Sequence, residues 1–183
     1  MITPIIIVAI IILLALALVF MFNNLVALRN RVDNAWAQID VQLQRRNDLI
    51  PNLVETVKGY AGHEKSTFQA VIDARSASVS ARTVDEKAAA ENQITSALRQ
   101  LFALAEAYPE LKANTNFLDL QGQLAGTEDK ISYMRQSYND TVLNYNNAIQ
   151  TFPGVVVAGI FSFKPRENFD AIIEAETPPQ VQF

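Results

Sequence analysis

The chain has 183 residues, a formal net charge of -4 and no cysteine. The absence of cysteine excludes a disulfide framework, thiolate metal sites and a cysteine nucleophile, and the acidic balance argues against sequence-independent DNA binding, which needs clustered basic residues. Half of the residues (50%) are hydrophobic. The length suits one domain, so the apolar residues belong either to one large core or to a segment of their own.

The apolar residues are concentrated near the N-terminus. No Asp, Glu, Lys or Arg precedes Arg29, and the stretch from Ile5 to Phe22 contains no polar residue. About 18 or more apolar residues are long enough to cross a bilayer as a helix. A buried core helix normally keeps a polar stripe, and a cleaved signal peptide begins with basic residues and ends at a small-residue cleavage site. We therefore predict an uncleaved transmembrane anchor over residues 1–24.

Basic residues lie on one side of this predicted span. Arg29 and Arg31 follow it, partly offset by Asp33, and residues 1–4 contain none. The positive-inside rule then favours a cytoplasmic C-terminal domain. A periplasmic or extracellular domain is the alternative.

After the span the hydrophobic pattern becomes helical. Apolar residues at steps of three and four predict a first long helix that Gly59 and Gly62 end. Pro51 interrupts it, and proline in a helix interior removes a hydrogen bond. We predict a kink or restart over residues 47–51.

Two shorter helices follow, over residues 64–81 and from Thr83 or Asp85 to the break at Pro109. The first of them is expected to bury Phe68, Val71, Ile72 and Val79.

The last helix has a mean apolar step of about 3.5 residues, the period of a coiled coil, and Pro153-Gly154 stops it. Its inward residues run from Phe117 through Tyr138 and Tyr145 to Phe152.

These elements predict an all-α fold, an N-terminal transmembrane helix followed over residues 25–153 by an elongated antiparallel bundle of two long and two shorter helices. An arginine on an apolar stripe needs a partner, so Arg45 or Arg46 is expected to pair with Glu128 or Asp129. The predicted register of the long helices sets Leu25 opposite Phe152, Ile39 opposite Tyr138, Leu53 opposite Leu124 and Tyr60 opposite Phe117.

Residues 154–183 form the remaining predicted segment. The stretch from Gly154 to Phe163 is strongly apolar but too short to span a membrane. It is expected either to lie at the membrane-proximal base of the bundle, dipping into the interface, or to be buried against the first helix. The tail with Pro178 and Pro179 is expected to be loose.

No catalytic constellation is present, and we predict no catalytic, cofactor-binding or metal-binding residue and no cofactor. His63-Glu64 lacks the second histidine of a zinc-protease helix and fits a helix start instead. Gly122 and Gly126 suggest close helix approach. Asparagine follows Tyr138 and Tyr145 at a spacing of one heptad, which favours a role in helix register over a ligand site.

The sequence resembles the LemA family of bacterial single-pass membrane proteins over almost its whole length. The residues that carry the resemblance are residues 25–32, Ala35-Trp36, residues 39–54, Tyr60, His63-Glu64, Ala74-Arg75, residues 108–114, Asn116-Phe117, residues 138–140, Tyr145-Asn146 and Phe152-Pro153. The resemblance implies a short anchor and a long antiparallel helical domain, without an enzymatic activity. Family members are linked to magnetosome membranes and to a membrane metalloprotease of the heat-shock type, without residues that carry either role.

The favoured function is a non-enzymatic helical scaffold, anchored by a single pass in the lipid bilayer of the bacterial inner membrane, that self-associates there as a homo-oligomer in membrane shaping or assembly. The alternative is an adaptor for a membrane metalloprotease or another envelope protein. No nucleic-acid partner is expected.

Overall fold

The computed structural model describes residues 2–169, and the tail with Pro178 and Pro179 lies outside them. These residues form helices and no strand, which confirms the predicted all-α fold. The helices are α1 (Ile2–Ala61), α2 (Lys65–Ser80), α3 (Val84–Ala105), α4 (Pro109–Lys112), α5 (Thr115–Gln150) and α6 (Gly154–Ile160).

The described residues divide into two compact units. The first unit contains residues 2–37 and 136–167, and the second contains residues 38–135 and 168–169.

In the first unit, the N-terminal part of α1 is not covered by any of residues 2–169. Every residue from Ile2 to Phe20 is exposed. Burial begins at Leu25 and Val32, and the rings of Trp36 and Tyr138 lie 5.5 Å apart between centroids. The buried residues of the C-terminal part of this unit are Tyr138, Val142, Tyr145, Ile149, Val157 and Ala158.

The second unit has a continuous apolar core supplied by α1, α2, α3, α4 and α5. On α2 the prediction is partly wrong. Phe68 and Val71 are buried, but Ile72 and Val79 are exposed. Ala74 and Ser78 are buried instead, because the side of α2 that packs is set by close contact with the neighbouring helices and not by side-chain size.

Helix α1 continues through Pro51, so the predicted restart is wrong. Proline has no N–H to donate to the carbonyl four residues earlier, which is that of Asn47. Arg75 Nε on α2 donates to this carbonyl oxygen at 2.9 Å. Asn47 Nδ2 also donates to Ser78 Oγ at 2.8 Å. The backbone acceptor that proline leaves free is therefore satisfied by a neighbouring helix.

The helix ends are set by local chemistry. Helix α1 ends one residue before Gly62, with Gly59 still inside the helix. Thr83 is the N-cap of α3, as predicted: its side chain accepts from the Glu86 N–H, and the Glu86 carboxylate accepts from the Thr83 N–H. This capping box satisfies two amides that a helix start leaves free.

The contacts between the long helices agree with the predicted register in part. In the first unit Trp36 contacts Tyr138. In the second, Arg46 pairs with Glu128 and Asn114 donates to the Tyr60 hydroxyl. The pair of Arg46 with Glu128 is the predicted one. Tyr138 and Tyr60 instead contact Trp36 and Asn114, which come three residues before their predicted partners Ile39 and Phe117.

The pairs still confirm that α1 and α5 run antiparallel, because later residues of one helix meet earlier residues of the other. Phe152 lies beyond the end of α5 and is 83% exposed, so the expectation that it points inward opposite Leu25 is wrong.

Candidate functional site

Arg46 is the centre of a buried ionic cluster in the second unit. It lies on the apolar stripe of α1 and is 3% exposed. Its Nη1 atom is 2.8 Å from Glu91 Oε1 on α3 and 2.5 Å from Glu128 Oε2 on α5. Its Nη2 atom donates to Thr95 Oγ1 at 3.1 Å. The predicted pairing of Arg46 with Glu128 is confirmed, and Glu91 is a second partner that the prediction did not include.

Two carboxylates share this one guanidinium. Burial raises the pKa of the Glu91 carboxyl, the positive charge of Arg46 opposes that rise, and the negative charge of Glu128 adds to it. Breaking such a buried group by removing one partner leaves an uncompensated charge. The cluster therefore holds α1, α3 and α5 together as long as all three members are present.

The space at the cluster is small. A cavity of about 20 Å³ lies beside Arg46, Glu91 and Glu128, which is the volume of a single water molecule. Arg46 Nε and Glu91 Oε2 are buried there without a hydrogen-bond partner among the described residues. An organic substrate does not fit into this volume.

A larger groove opens on the other side of the cluster. Its volume is about 310 Å³, and its walls are supplied by α1, α3 and α5. The described lining residues include no serine, cysteine or histidine, and the hydroxyl of the lining Thr95 accepts from Arg46. They are Arg46, Thr95, Leu98, Arg99, Phe102, Gln121, Leu124, Ala125 and Glu128.

The other residues considered from the sequence do not assemble a site. His63 lies in the turn before α2, and Glu64 takes the N-cap position but makes no side-chain capping hydrogen bond. Within residues 2–169, no group of three His, Cys, Asp or Glu side chains is placed to hold a metal ion. No described helix of the same chain approaches Gly122 or Gly126 closely, because a Cβ atom at either position meets nothing within 4 Å.

In the first unit, α5 holds an extended segment that we call the strap, residues 163–167. The Tyr145 hydroxyl donates to the Lys164 carbonyl at 2.9 Å. Asn146 donates to the Arg166 carbonyl at 2.8 Å and accepts from its N–H at 2.9 Å.

The strap is also tied at its far end, where the Tyr138 hydroxyl donates to the Glu167 carbonyl at 2.9 Å. The ordinary pKa of a phenol is about 10, and burial raises the pKa of Tyr145 further, so its hydroxyl is a donor at neutral pH. Asn146 and the two tyrosines therefore hold the strap against α5. The sequence had instead favoured a role for them in setting helix register.

The sequence analysis missed Glu91 and the pair of Arg166 with Asp33, and only Glu91 has a signal in the sequence. Glu91 comes three residues before Ile94 on the buried face of α3, so the helical spacing was enough to expect a charged group in the core. Nothing near Arg166 in the sequence indicates that its side chain pairs with Asp33 at 2.7 Å.

Within residues 2–169, α1 is the helix that is long and apolar enough to cross a membrane. Because its first residues are exposed and uncharged and the other described helices fold against one another, the chain is a membrane-anchored helical protein.

The LemA family profile matches residues 35–183. The chain belongs to the LemA family.

Similar proteins extend this assignment. Magnetosome protein MamQ of Magnetospirillum gryphiswaldense is 26% identical over 90% of this chain and 71% of its own length. Magnetosome protein MamQ 2 of Paramagnetospirillum magneticum is 25% identical over 88% of this chain and 69% of its own length. Protein LemA of Metamycoplasma hominis is 29% identical over 71% of this chain and 60% of its own length.

Proposed function

We propose that this protein is a non-enzymatic helical scaffold of the bacterial inner membrane that self-associates and takes part in membrane shaping or assembly. The observation that carries the proposal is α1, which begins with an exposed apolar span and continues without a break to Ala61. One helix therefore supplies both the membrane anchor and a wall of the folded core. Residues 1–24 are the anchor in this proposal, and residues 25–153 are the helical domain.

The polar chemistry of the second unit supports a structural role. The charges of Arg46, Glu91 and Glu128 are directed at one another, and the Asn47 carbonyl is taken by Arg75. Such groups satisfy buried donors and acceptors and hold helices in place.

Self-association is supported by an exposed stripe on α5. Leu118, Gly122, Gly126 and Tyr133 follow one another at helical spacing, and Leu118 and Tyr133 are 47% and 75% exposed. The two glycines have open space beside them, so a helix of a second copy has room to approach the backbone closely.

The mass of the detergent-extracted protein, measured by size exclusion with light scattering, tests this. We expect a defined oligomer that Gly126→Leu weakens. Gly59→Leu, at a glycine of α1 with equally open surroundings, is the matched control. A strict monomer contradicts the scaffold.

The helical domain is proposed to be cytoplasmic. The strap adds Lys164 and Arg166 to the basic residues Arg29 and Arg31 that follow the span, and basic residues next to a span favour the cytoplasmic side. Protease digestion of intact cells and of spheroplasts tests this side. Cleavage in intact cells or spheroplasts without lysis contradicts it.

A role in membrane assembly agrees with the magnetosome proteins among the relatives. The alternative function, an adaptor for a membrane metalloprotease or another envelope protein, is favoured by the groove between α3 and α5, whose apolar wall contains Leu98, Phe102 and Leu124. A monomer that forms a stoichiometric complex with a purified membrane protease supports the adaptor over the scaffold.

A further inference from the structure

Helix α6 is apolar on both of its faces. Val157 and Ala158 are buried against the first unit. Val155, Val156 and Ile160 lie on the opposite side and are 44%, 50% and 63% exposed. Phe152, just before the helix, and Phe161, just after it, are 83% and 53% exposed. A helix that is hydrophobic all round belongs in a protein core or in a membrane, and the outer face of α6 is not covered by described residues.

Aromatic contacts place this surface at the end of the transmembrane span. The Phe161 ring lies 4.7 Å from that of Phe22, centroid to centroid, and the Phe163 ring lies 5.8 Å from it. A hydrocarbon core about 30 Å thick takes about 20 helical residues, so a span that begins near Ile5 ends close to Phe22. The Phe161 ring is thus level with the edge of the hydrocarbon core at which the span ends, next to the helical domain.

Polar contacts begin where the headgroups are expected. The Arg29 guanidinium lies 5.5 Å from the centroid of the Phe163 ring. At 1.5 Å per residue, Arg29 is about 10 Å further along α1 than Phe22. Arg166 pairs with Asp33 at 2.7 Å, a further turn along α1. The chain after α6 therefore passes from apolar to charged residues in step with α1.

We infer that the exposed face of α6, together with Phe152 and Phe161, inserts into the lipid of the leaflet next to the helical domain. This inference rests on the membrane anchor of the proposed function and adds a second, interfacial contact with the same bilayer. Helices of this kind bury an apolar face roughly 5–10 Å into the boundary between headgroups and acyl chains. Arg29, which lies over the Phe163 ring, and the exposed Lys164 follow the face along the chain and suit anionic headgroups.

Lipid suits this face better than a second protein chain. Helix α6 has seven residues and is about 10 Å long, whereas a stable interface buries about 800 Å² on each partner. The face is also continuous with the lipid-facing span through the contact of Phe22 with Phe161.

The absence of cysteine from the chain makes a site-specific test direct. The full-length variant Val156→Cys, labelled with an environment-sensitive fluorophore, is reconstituted into vesicles of phosphatidylcholine and phosphatidylglycerol. Val79→Cys is the matched control, a valine on α2 that is 58% exposed. Fluorescence is quenched from the lipid side by nitroxide on an upper acyl carbon and from the water side by iodide.

At position 156 we expect strong nitroxide quenching and an iodide quenching constant several-fold below that at position 79. Equal iodide access at the two positions overturns the inference. A label at 156 that iodide cannot reach and nitroxide does not quench also overturns it, because protein and not lipid then covers the face.

Flotation of the same vesicles separates this inference from the proposed function. If the protein floats with lipid while its label at position 156 stays accessible to iodide, the membrane anchor is supported and the inserted face of α6 is contradicted. If the protein does not float, the membrane anchor itself is contradicted. The oligomeric state, measured by light scattering, bears on the scaffold and leaves the inserted face unaffected.

Discussion

The two units use α1 and α5 in different ways. In the second unit the helices enclose charged groups, and Arg46 lies 3% exposed between two carboxylates. In the first unit neutral hydrogen bonds from Tyr138, Tyr145 and Asn146 hold the strap to α5. Apolar residues are buried in the second unit and exposed along the span and α6 in the first.

The two units differ because a buried ion pair and a neutral surface hydrogen bond lose different amounts of hydration on folding. A charge taken out of water is costly unless it is paired, so a buried arginine makes the packing of three helices interdependent. Neutral bonds to exposed backbone groups replace bonds to water and each contributes about 0.5–1.5 kcal/mol net. We expect the second unit to unfold as one and the strap to open locally.

The largest effect is expected from removing the charge at the centre of the second unit. Arg46→Met leaves Glu91 and Glu128 without their counter-ion, and the loss of one partner from a buried ionic group costs about 3–5 kcal/mol. Urea unfolding followed by circular dichroism at pH 7 measures it.

Arg45→Met is the control for this substitution. Arg45 is the adjacent arginine and is exposed, and its replacement should change the free energy of unfolding by less than about 0.5 kcal/mol. Equal losses for the two variants would show that the buried cluster is not what distinguishes the second unit.

The next effect is expected in the first unit, at the junction of α5 and α6. A Cβ atom at Gly154 lies 2.0 Å from the Ala148 carbonyl oxygen, so Gly154→Ala must displace α6. Overpacking of this kind costs about 1–3 kcal/mol. Gly159→Ala, where nothing lies within 4 Å of the added atom, should be neutral or stabilising, since alanine favours helix over glycine. Thermal unfolding of both variants checks the difference.

A smaller effect, with a defined pH dependence, is expected from Glu91→Gln. Burial raises the pKa of Glu91 above 4.5, so between that value and its folded value the folded protein binds more protons than the unfolded chain. The free energy of unfolding therefore falls as pH rises through this window. Glutamine accepts from Arg46 without a charge and does not titrate, so this fall should be smaller in the variant, and Glu91→Gln should lower the free energy of unfolding less at pH 7 than at pH 4.5. Urea midpoints from pH 4.5 to 8 measure it.

Glu86→Gln tests a carboxylate whose effect on the pH dependence of the free energy of unfolding has the opposite sign. The N–H groups of Arg82 and Thr83 lower the pKa of Glu86, so the stability from this carboxylate is present above pH 4.5 and is lost as pH falls through its folded pKa. The variant should flatten the acid side of the profile only. A flattening above pH 4.5 in both variants would contradict the assignment to Glu91.

The smallest effect is expected at the strap. Asn146→Ala removes two hydrogen bonds to Arg166 and should lower the free energy of local opening by about 1–2 kcal/mol. Amide exchange of Arg166 reads this directly, because its N–H donates to Asn146. Asn147→Ala, at the exposed neighbouring asparagine, should leave this exchange unchanged. Loss of global stability with Asn146→Ala would show that the strap unfolds together with the core.

The predicted features that the structure confirms are local or periodic. The N-cap at Thr83 depends on residues within one turn, and the buried stripe of α1 follows helical spacing. The pairing of Arg46 with Glu128 was predictable because a charge on that stripe needs a partner. Tyr138 and Tyr60 contact residues three positions away from the predicted ones, because a helical repeat is compatible with sliding by one turn.

The sequence by itself determined that this chain has an uncharged span followed by amphipathic helices, because an anchor needs only length and apolar side chains and a helix needs only a period. Tertiary structure alone decided that Arg75 satisfies the carbonyl freed by Pro51, that Glu91 joins Arg46, and that Asn146 holds the strap. These contacts join residues far apart in the chain, and close packing, which leaves no local pattern in the sequence, sets which of them meet.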